Sequence, residues 1–130
     1  MFYTLLVEDN VAFRRELSDI LLAHFPTIGI DESGNAADAL SKVEYSRPDL
    51  IFMDIKLPDE NGLEVTRQIK RVYGYIVIVI LTSYDIPEYR QQAFRNGADC
   101  FISKVQESCM SDILARVEGT LAIRHRQELG

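Results

Sequence analysis

The sequence predicts an α/β domain in which five strand–helix units form one parallel sheet with helices on both faces. Three observations lead to this fold class. Short, nearly continuous apolar runs alternate with segments of helical periodicity along the whole chain. The length of 130 residues is that of one domain with its own core. Polar residues follow the apolar runs directly, at the place where ligands bind to such sheets.

Capping residues and chain breakers set the boundaries of the first three units. Asn10 has the residue type of a helix N-cap. Gly34 lies in a break before the second helix, and Pro48 ends that helix, because a residue before proline avoids helical geometry. The predicted elements are a strand at 2–7, a helix with Phe13, Leu17, Ile20, Leu21 and His24 on one face, a short strand at 28–31, a helix carrying Ala36, Leu40 and Val43, a strand at 49–53 and a helix at 63–72.

The last two units contain the most hydrophobic strand, which predicts a central or nearly central place in the sheet. Pro87 suits the first turn of the fourth helix, and Gly97 suits a left-handed stop at its end. The predicted elements are a strand at 76–81, a helix from Pro87 to Gly97, a strand at 100–103, and a last helix with Ile113, Leu114, Val117 and Leu121 that ends near Ala122 and leaves His125 in a charged tail.

Composition excludes several classes of protein. The net charge of −6 argues against direct binding of nucleic acid, which requires a basic surface. No stretch approaches the roughly 18 apolar residues of a membrane helix, and no leader precedes the first strand, so we expect a cytoplasmic protein without membrane contact. Cys100 and Cys109 form neither a zinc site nor a redox motif, and are interpreted as packing residues.

Polar side chains end four of the predicted strands. Glu8 and Asp9 follow the first, Asp54 the third, Thr82 the fourth and Lys104 the fifth. Because parallel strands end at one edge of a sheet, three carboxylates, a hydroxyl and an ammonium converge there. Such a set can hold a divalent cation and a phosphoryl group. Taken singly, each residue has a simpler interpretation as a helix cap, a β-branched strand residue or a solvated loop lysine.

The same residues carry a resemblance to the receiver domains of response regulators in bacterial two-component signalling. It covers about residues 2–122, so the whole chain, 1–130, is interpreted as one receiver domain. The resemblance implies a flavodoxin-like doubly wound (βα)5 fold, a five-stranded parallel sheet of order 2-1-3-4-5. The matching segments are Glu8-Asp9, Met53-Asp54-Ile55-Lys56-Leu57-Pro58-Asp59-Glu60-Asn61-Gly62, Leu81-Thr82-Ser83 and Asn96-Gly97-Ala98-Asp99-Cys100-Phe101-Ile102-Ser103-Lys104.

The resemblance also implies a phosphorylation-dependent switch. Asp54 would take a phosphoryl group from the phosphohistidine of a sensor histidine kinase or histidine phosphotransfer protein, or from a small phosphodonor. Magnesium would be the cofactor, bound by Asp9, Asp54 and the Lys56 carbonyl, and by Glu8 through water. Lys104 and Thr82 would stabilise the phosphoryl oxygens. No enzymatic activity is expected beyond self-phosphorylation and self-dephosphorylation.

In the implied switch, the Thr82 hydroxyl moves toward the phosphoryl group and the Phe101 ring shifts inward behind it. The surface formed by helix 4, strand 5 and helix 5 would then change. Simple strand packing is the alternative interpretation of Phe101. An output domain, a target protein and a phosphorylation-dependent homodimer are all left open as partners.

Two departures from the family pattern give further predictions. Val105 follows Lys104 where the family has a proline after a cis peptide bond, and a trans bond is predicted, because a non-proline cis bond costs about 2.5–4 kcal/mol. Lys56 and Tyr84 flank the expected approach of water to the phosphoryl group, and neither carries a carboxylate or amide. Slow loss of phosphate is predicted, the alternative being that both side chains point into solvent.

Three other classes of protein compete with the switch. A haloacid-dehalogenase-like phosphatase requires a second aspartate at the position of Lys56. A flavodoxin-type cofactor binder requires a glycine-rich phosphate cradle after strand 1, where Glu8 and Asp9 would repel the phosphate. A degenerate receiver would act only as a protein-interaction module, against which the complete set of Asp54, Thr82 and Lys104 argues.

Overall fold

A computed structural model describes residues 1–129, in which five strands alternate with five helices. The predicted fold class is confirmed. No helix among these residues is both long enough and apolar enough to span a membrane. The elements are β1 (Tyr3–Val7), α1 (Val11–His24), β2 (Gly29–Ser33), α2 (Ala36–Ser46), β3 (Leu50–Met53), α3 (Gly62–Val72), β4 (Val77–Thr82), α4 (Pro87–Arg95), β5 (Cys100–Ser103) and α5 (Cys109–Leu129).

All five strands pair in parallel in the order β2-β1-β3-β4-β5, as predicted. The chain first moves outward from β1 to β2 and then returns past β1 to β3. The switch point of the sheet therefore lies between β1 and β3, where open α/β sheets bind their ligands.

Two apolar clusters, one on each face of the sheet, form the core. Alternate strand residues point to opposite faces, so Ile51 belongs to one cluster and its neighbour Phe52 to the other. Helices α2, α3 and α4 cover the first face, and α1 and α5 cover the second. Cys109 packs in the second cluster, and burial raises the pKa of its thiol. Cys100 is half-buried against the same cluster, in agreement with a packing role.

Several predicted boundaries are confirmed. The Asn10 side chain caps α1 by accepting from the Phe13 N–H over 3.0 Å, and α1 ends at His24. Pro87 occupies the first turn of α4. Gly97 has φ +103°, a left-handed conformation that glycine adopts without a Cβ penalty, although α4 itself ends at Arg95.

Two predicted boundaries are wrong. β2 continues to Ser33 instead of ending at 31, because Glu32 and Ser33 pair with β1 although they are polar. α5 continues to Leu129 instead of ending near Ala122, and His125 is therefore helical. The longer helix is held at the other end of the sheet, where Arg124 donates to the Tyr75 carbonyl over 2.8 Å.

Candidate functional site

The register of the two central strands places two carboxylates side by side. Val7 in β1 lies opposite Met53 in β3, so the next residues, Glu8 and Asp54, leave the sheet at the same point. The Asp54 N–H continues the pairing by donating to the Val7 carbonyl over 3.0 Å. Both side chains are buried, with Glu8 5% and Asp54 7% exposed. Two buried carboxylates in contact require a counter-charge.

Lys104 supplies that counter-charge from the far side of the sheet. Its backbone N–H donates to the Thr82 carbonyl over 2.8 Å, which continues the β4–β5 pairing by one residue. Its ammonium donates to the Glu8 carboxylate and lies 3.5 Å from the Asp54 carboxylate. The Phe13 ring of α1 lies under the same ammonium, 4.6 Å away. The structure thus brings together Glu8, Asp54 and Lys104, which are up to 96 positions apart in the chain.

The pKa of the Glu8 carboxyl reflects its burial first and its charged neighbours second. Burial raises the pKa of the Glu8 carboxyl above its ordinary value, and the neighbouring Asp54 carboxylate adds to the increase, although the hydrogen bond from Lys104 opposes it. The Glu8 backbone is held separately, since its carbonyl accepts from the Arg14 guanidinium over 2.7 Å. Burial is the main cause of this increase, so a cation bound in addition to Lys104 would favour the ionised carboxylate.

Asp9 completes a group of three carboxylates. Glu8, Asp9 and Asp54 each offer one oxygen within 4.8 Å of the other two. Asp9 is exposed, so the group opens to solvent. Among the described residues, Lys104 is the one cation paired with any of these three carboxylates. The hard oxygen donors and the excess of negative charge both fit Mg²⁺, which takes carboxylate ligands and keeps several waters.

A very close backbone approach shapes the loop after Asp54. A Cβ on Gly62 would lie 1.8 Å from the Asp54 carbonyl oxygen, so no larger residue fits there without backbone movement. The Gly62 N–H donates to the Ile55 carbonyl over 2.7 Å and fastens the loop to the start of α3. The Ile55 N–H in turn donates to the Asp54 carboxylate over 2.8 Å and orients it.

The two predicted switch residues lie on the neighbouring strands. Thr82 is fully buried at the end of β4, and its hydroxyl accepts from the Tyr84 N–H over 3.1 Å. Phe101 is buried in the cluster beneath α4, and the Arg90 guanidinium lies 4.7 Å from its ring centre. The burial of Phe101 agrees with both interpretations given for it, strand packing and a switch, and its switch role stays a prediction.

Lys56 and Tyr84, the two residues predicted to affect phosphate lifetime, are exposed but lie against each other. The Lys56 ammonium is 5.3 Å from the centre of the Tyr84 ring and donates to the Tyr89 hydroxyl over 2.8 Å. Their effect on lifetime stays a prediction. The Lys104–Val105 bond is trans, as predicted, since none of the described peptide bonds is cis.

Sequence reasoning missed several residues that build the site. Asp59 accepts from the N–H groups of Ala36 and Ala37, and so joins the Asp54 loop to the start of α2. These bonds hold the pKa of the Asp59 carboxyl below its usual range. Two more residues were missed: Arg14, which donates to the Glu8 carbonyl, and Tyr89, whose hydroxyl accepts from the Lys56 ammonium. A capping aspartate 23 positions away from the helix leaves no local signal in the sequence. The one available signal was general, since the free N–H groups at the start of any helix require an acceptor.

Comparison with known proteins gives a consistent assignment. The family model described as "Response regulator receiver domain" matches residues 4–118. Over 104 residues the chain is 35% identical to the DNA-binding transcriptional activator DevR/DosR of Mycobacterium tuberculosis, covering 80% of this chain and 48% of that protein. Over 114 residues it is 33% identical to the chemotaxis protein CheY of Halobacterium salinarum, covering 87% of this chain and 93% of that protein.

Other relatives are longer than this chain. Sensory transduction protein LytT of Bacillus cereus is 36% identical over 104 residues, which are 80% of this chain and 42% of LytT. The chain thus spans about half of DevR/DosR and less than half of LytT.

Solved structures give the same fold. A CheY-like receiver domain protein from Methanospirillum hungatei superposes with a TM-score of 0.86 at 24% identity, covering 98% of each chain. A LuxR-family two-component response regulator from Aurantimonas sp. superposes with a TM-score of 0.81 at 26% identity, covering 92% of this chain and 84% of the other.

Proposed function

The chain belongs to the family of response regulator receiver domains, and from that premise we propose that it is a switch driven by phosphorylation of Asp54. Receiver domains are signalling modules, so the phosphoryl group is the signal and is not passed through a catalytic cycle. The donor would be the phosphohistidine of a sensor histidine kinase or of a histidine phosphotransfer protein, or a small phosphodonor.

The main support for this proposal comes from the contacts that the Asp54 carboxylate makes. Its carboxylate is buried and oriented by the Ile55 N–H over 2.8 Å, with the Lys104 ammonium 3.5 Å away. In the transfer, a carboxylate oxygen attacks phosphorus and the bond to the donor breaks in line with it. Charge then spreads over three equatorial oxygens. The Lys104 ammonium lies 3.5 Å from Asp54, and Thr82 ends the neighbouring strand β4, so we expect these two groups to stabilise that charge.

Magnesium is the proposed cofactor. Asp9 and Asp54 would bind it directly, Glu8 through water, and Lys56 through its backbone carbonyl, which leaves the Lys56 side chain free for another role. When bound, the ion neutralises charge on the phosphoryl oxygens. The three carboxylate oxygens within 4.8 Å of one another support this assignment.

Helix α4 is the element that we expect to respond. Ala93 is its one buried residue, and its N-cap, Ile86, makes no side-chain hydrogen bond to the helix. A helix held by so few buried contacts opens at low cost in free energy. The phosphoryl group adds about −1.5 to −2 charges beside Thr82. Movement of Thr82 and Phe101 would then displace α4 and change the surface formed by α4, β5 and α5.

We also propose which partners respond to the phosphorylated domain. DevR/DosR is named a DNA-binding transcriptional activator, and this chain spans 48% of its length. A separate output domain or target protein would therefore respond to the α4–β5–α5 surface, and a phosphorylation-dependent homodimer is the alternative. The net charge of −6 argues against nucleic-acid binding by this domain itself.

Intact-mass spectrometry tests the proposal. The protein is incubated with phosphoramidate and either Mg²⁺ or EDTA, in parallel with Asp54→Asn. The expected result is a gain of one phosphoryl group that requires Mg²⁺ and is absent from Asp54→Asn. A protein that stays unmodified in Mg²⁺, and also after incubation with phosphorylated histidine kinases, would instead be a degenerate receiver acting by binding alone.

A further inference from the structure

Three hydrogen bonds hold the turn that follows β1. The Glu8 N–H donates to the Ser33 carbonyl at the end of β2, over 2.9 Å. The Glu8 carbonyl accepts from the Arg14 guanidinium of α1, over 2.7 Å. The Asn10 N–H donates to the Glu8 carboxylate, over 3.1 Å. Because a peptide group is planar and rigid, the bond from Arg14 fixes the plane that joins Glu8 to Asp9.

The position of the Asp9 carboxylate depends on that peptide plane. Asp9 is exposed, and within residues 1–129 its carboxylate has neither a hydrogen-bond donor nor a cation as partner, whereas Glu8 and Asp54 are both paired with Lys104. The backbone alone therefore places this carboxylate. A rotation of the peptide between Glu8 and Asp9 would carry the Asp9 oxygen out of the group of three carboxylates, whose oxygens lie within 4.8 Å of one another.

Arg14 is itself held in place. Its side chain is 14% exposed, and its Nε donates to the Glu32 carboxylate of β2 over 2.8 Å. Gly34 leaves room for it, since a Cβ on Gly34 would lie 3.2 Å from a guanidinium nitrogen. The guanidinium thus joins α1 to the ends of β1 and β2 by donating in two fixed directions, which a lysine ammonium does not reproduce.

We propose that Arg14 is a positioning residue for the cation site: its hydrogen bond to the Glu8 carbonyl holds the Asp9 carboxylate where it can bind the ion together with Asp54. This inference rests on the proposed magnesium site. Arg14 is a cation and would not bind the ion itself. It acts through the peptide between Glu8 and Asp9, so its effect falls on the affinity for Mg²⁺.

Positioning and electrostatics predict effects of opposite sign. The guanidinium carries a positive charge beside the Glu8 backbone, so its charge alone opposes the binding of another cation. If charge were its main effect, removing Arg14 would tighten the binding of Mg²⁺. If Arg14 positions Asp9, its removal weakens binding. Loss of the hydrogen-bonded neighbours of metal ligands typically lowers affinity by about 10- to 100-fold.

The size of the ion gives a second distinction. Mg²⁺ requires near-ideal octahedral geometry at about 2.0–2.1 Å, whereas Ca²⁺ accepts variable geometry at about 2.3–2.6 Å. A misplaced Asp9 carboxylate should therefore weaken the binding of Mg²⁺ more than that of Ca²⁺. A change in charge alone would alter both affinities by similar factors, because the two ions carry the same charge.

The test compares Arg14→Gln and Arg14→Lys with wild type. Arg15→Gln is the matched control, because it removes the same charge from the next residue of α1, which is exposed. Mg²⁺ and Ca²⁺ are titrated at constant ionic strength, and dissociation constants are taken from the ¹H–¹⁵N amide signals. Only the signals of the folded protein are followed, so a loss of stability does not alter the constants.

We expect Arg14→Gln to raise the dissociation constant for Mg²⁺ about ten-fold or more, and that for Ca²⁺ by a smaller factor. Arg14→Lys keeps the charge but lacks the two fixed donor directions, so it should also weaken the binding of Mg²⁺, by about three-fold or more. Arg15→Gln should change either constant by less than about two-fold, because solvent and salt screen an exposed charge.

The contrary outcomes are distinct. Wild type that shows no Mg²⁺-dependent shifts overturns the proposed cation site, and this inference with it. Wild type that binds Mg²⁺ while Arg14→Gln binds it equally or more tightly overturns the role of Arg14 and leaves the cation site standing. The role is also overturned if Arg15→Gln weakens binding as much as Arg14→Gln does, or if Mg²⁺ and Ca²⁺ are affected equally. If Arg14→Gln does not fold, Arg14→Lys decides by the same comparisons.

Discussion

Replacing Gly62 by alanine should damage the protein far more than a glycine-to-alanine change in a helix normally does. Gly62 begins α3, and a Cβ there would lie 1.8 Å from the carbonyl oxygen of Asp54 and 2.9 Å from its carbonyl carbon. Real Cβ contacts essentially never fall below 3.0 Å, so raising 1.8 Å to 3.0 Å parts the two backbones by about 1.2 Å. Because the opposing atoms are backbone, no side-chain rotation relieves the overlap.

The displacement acts on groups that the site needs. The moving carbonyl belongs to Asp54, and the Gly62 N–H would be drawn away from the Ile55 carbonyl that it now meets at 2.7 Å. Forcing extra volume into a packed site costs about 1–3 kcal/mol and occasionally more, and the backbone overlap places this change at or above the top of that range. We therefore expect a loss of about 3 kcal/mol or more in the free energy of unfolding.

The assay is urea denaturation of Gly62→Ala beside Gly119→Ala. Gly119 lies in α5 with nothing within 4 Å of its added Cβ, so its replacement should stabilise the protein by about 0.5–1 kcal/mol. The two variants carry the same chemical change and should move stability in opposite directions. If Gly62→Ala folds with wild-type stability, the close approach of α3 to Asp54 is not a feature of the protein and the derived shape of the loop is wrong.

Three further predictions concern other parts of the molecule. Gly97→Ala should lose about 1–2 kcal/mol in urea denaturation, since φ +103° is unfavourable for a residue with a Cβ, and an unchanged midpoint would contradict this. Asp59 has a lowered pKa in the folded protein, so its contribution to stability is present above the unfolded pKa and is lost as the pH falls through the folded pKa, below 3.8. Asp59→Ala should accordingly lower the melting temperature at about pH 6, and the difference from wild type should shrink as the pH falls below 3.8, whereas a difference that does not change with pH would refute the capping role. Lys104→Met should bind Mg²⁺ more tightly than wild type by isothermal calorimetry, because its ammonium no longer occupies Glu8, and weaker binding would place the ion elsewhere.

The sheet and the convergence of polar groups were predictable because they depend on hydrophobic runs. β3 is a continuous apolar segment, and β4 is apolar up to its last residue, Thr82. The polar residues that end these runs, Asp54 and Thr82, can therefore be identified from the sequence alone. Parallel pairing then brings these ends together, since all strands of such a sheet end at one edge.

The features that were not predictable depend on pairing and on long-range contacts. β2 includes Glu32 and Ser33, whose pairing with β1 overrides their polarity. The extension of α5 depends on Arg124 meeting Tyr75, 49 positions away, which has no counterpart in local periodicity. The hydrogen bond from the Lys56 ammonium to the Tyr89 hydroxyl, over 2.8 Å, likewise joins residues 33 positions apart and leaves no local signal in the sequence.

The most direct test of the central claim identifies which carboxylate is phosphorylated. After incubation with phosphoramidate and Mg²⁺, the protein is treated with borohydride, which reduces an aspartyl phosphate to homoserine, and the peptides are mapped by mass spectrometry. We predict homoserine at position 54 alone, with none when Mg²⁺ is replaced by EDTA. Homoserine at position 9, or modification of a histidine with an unmodified Asp54, would contradict it.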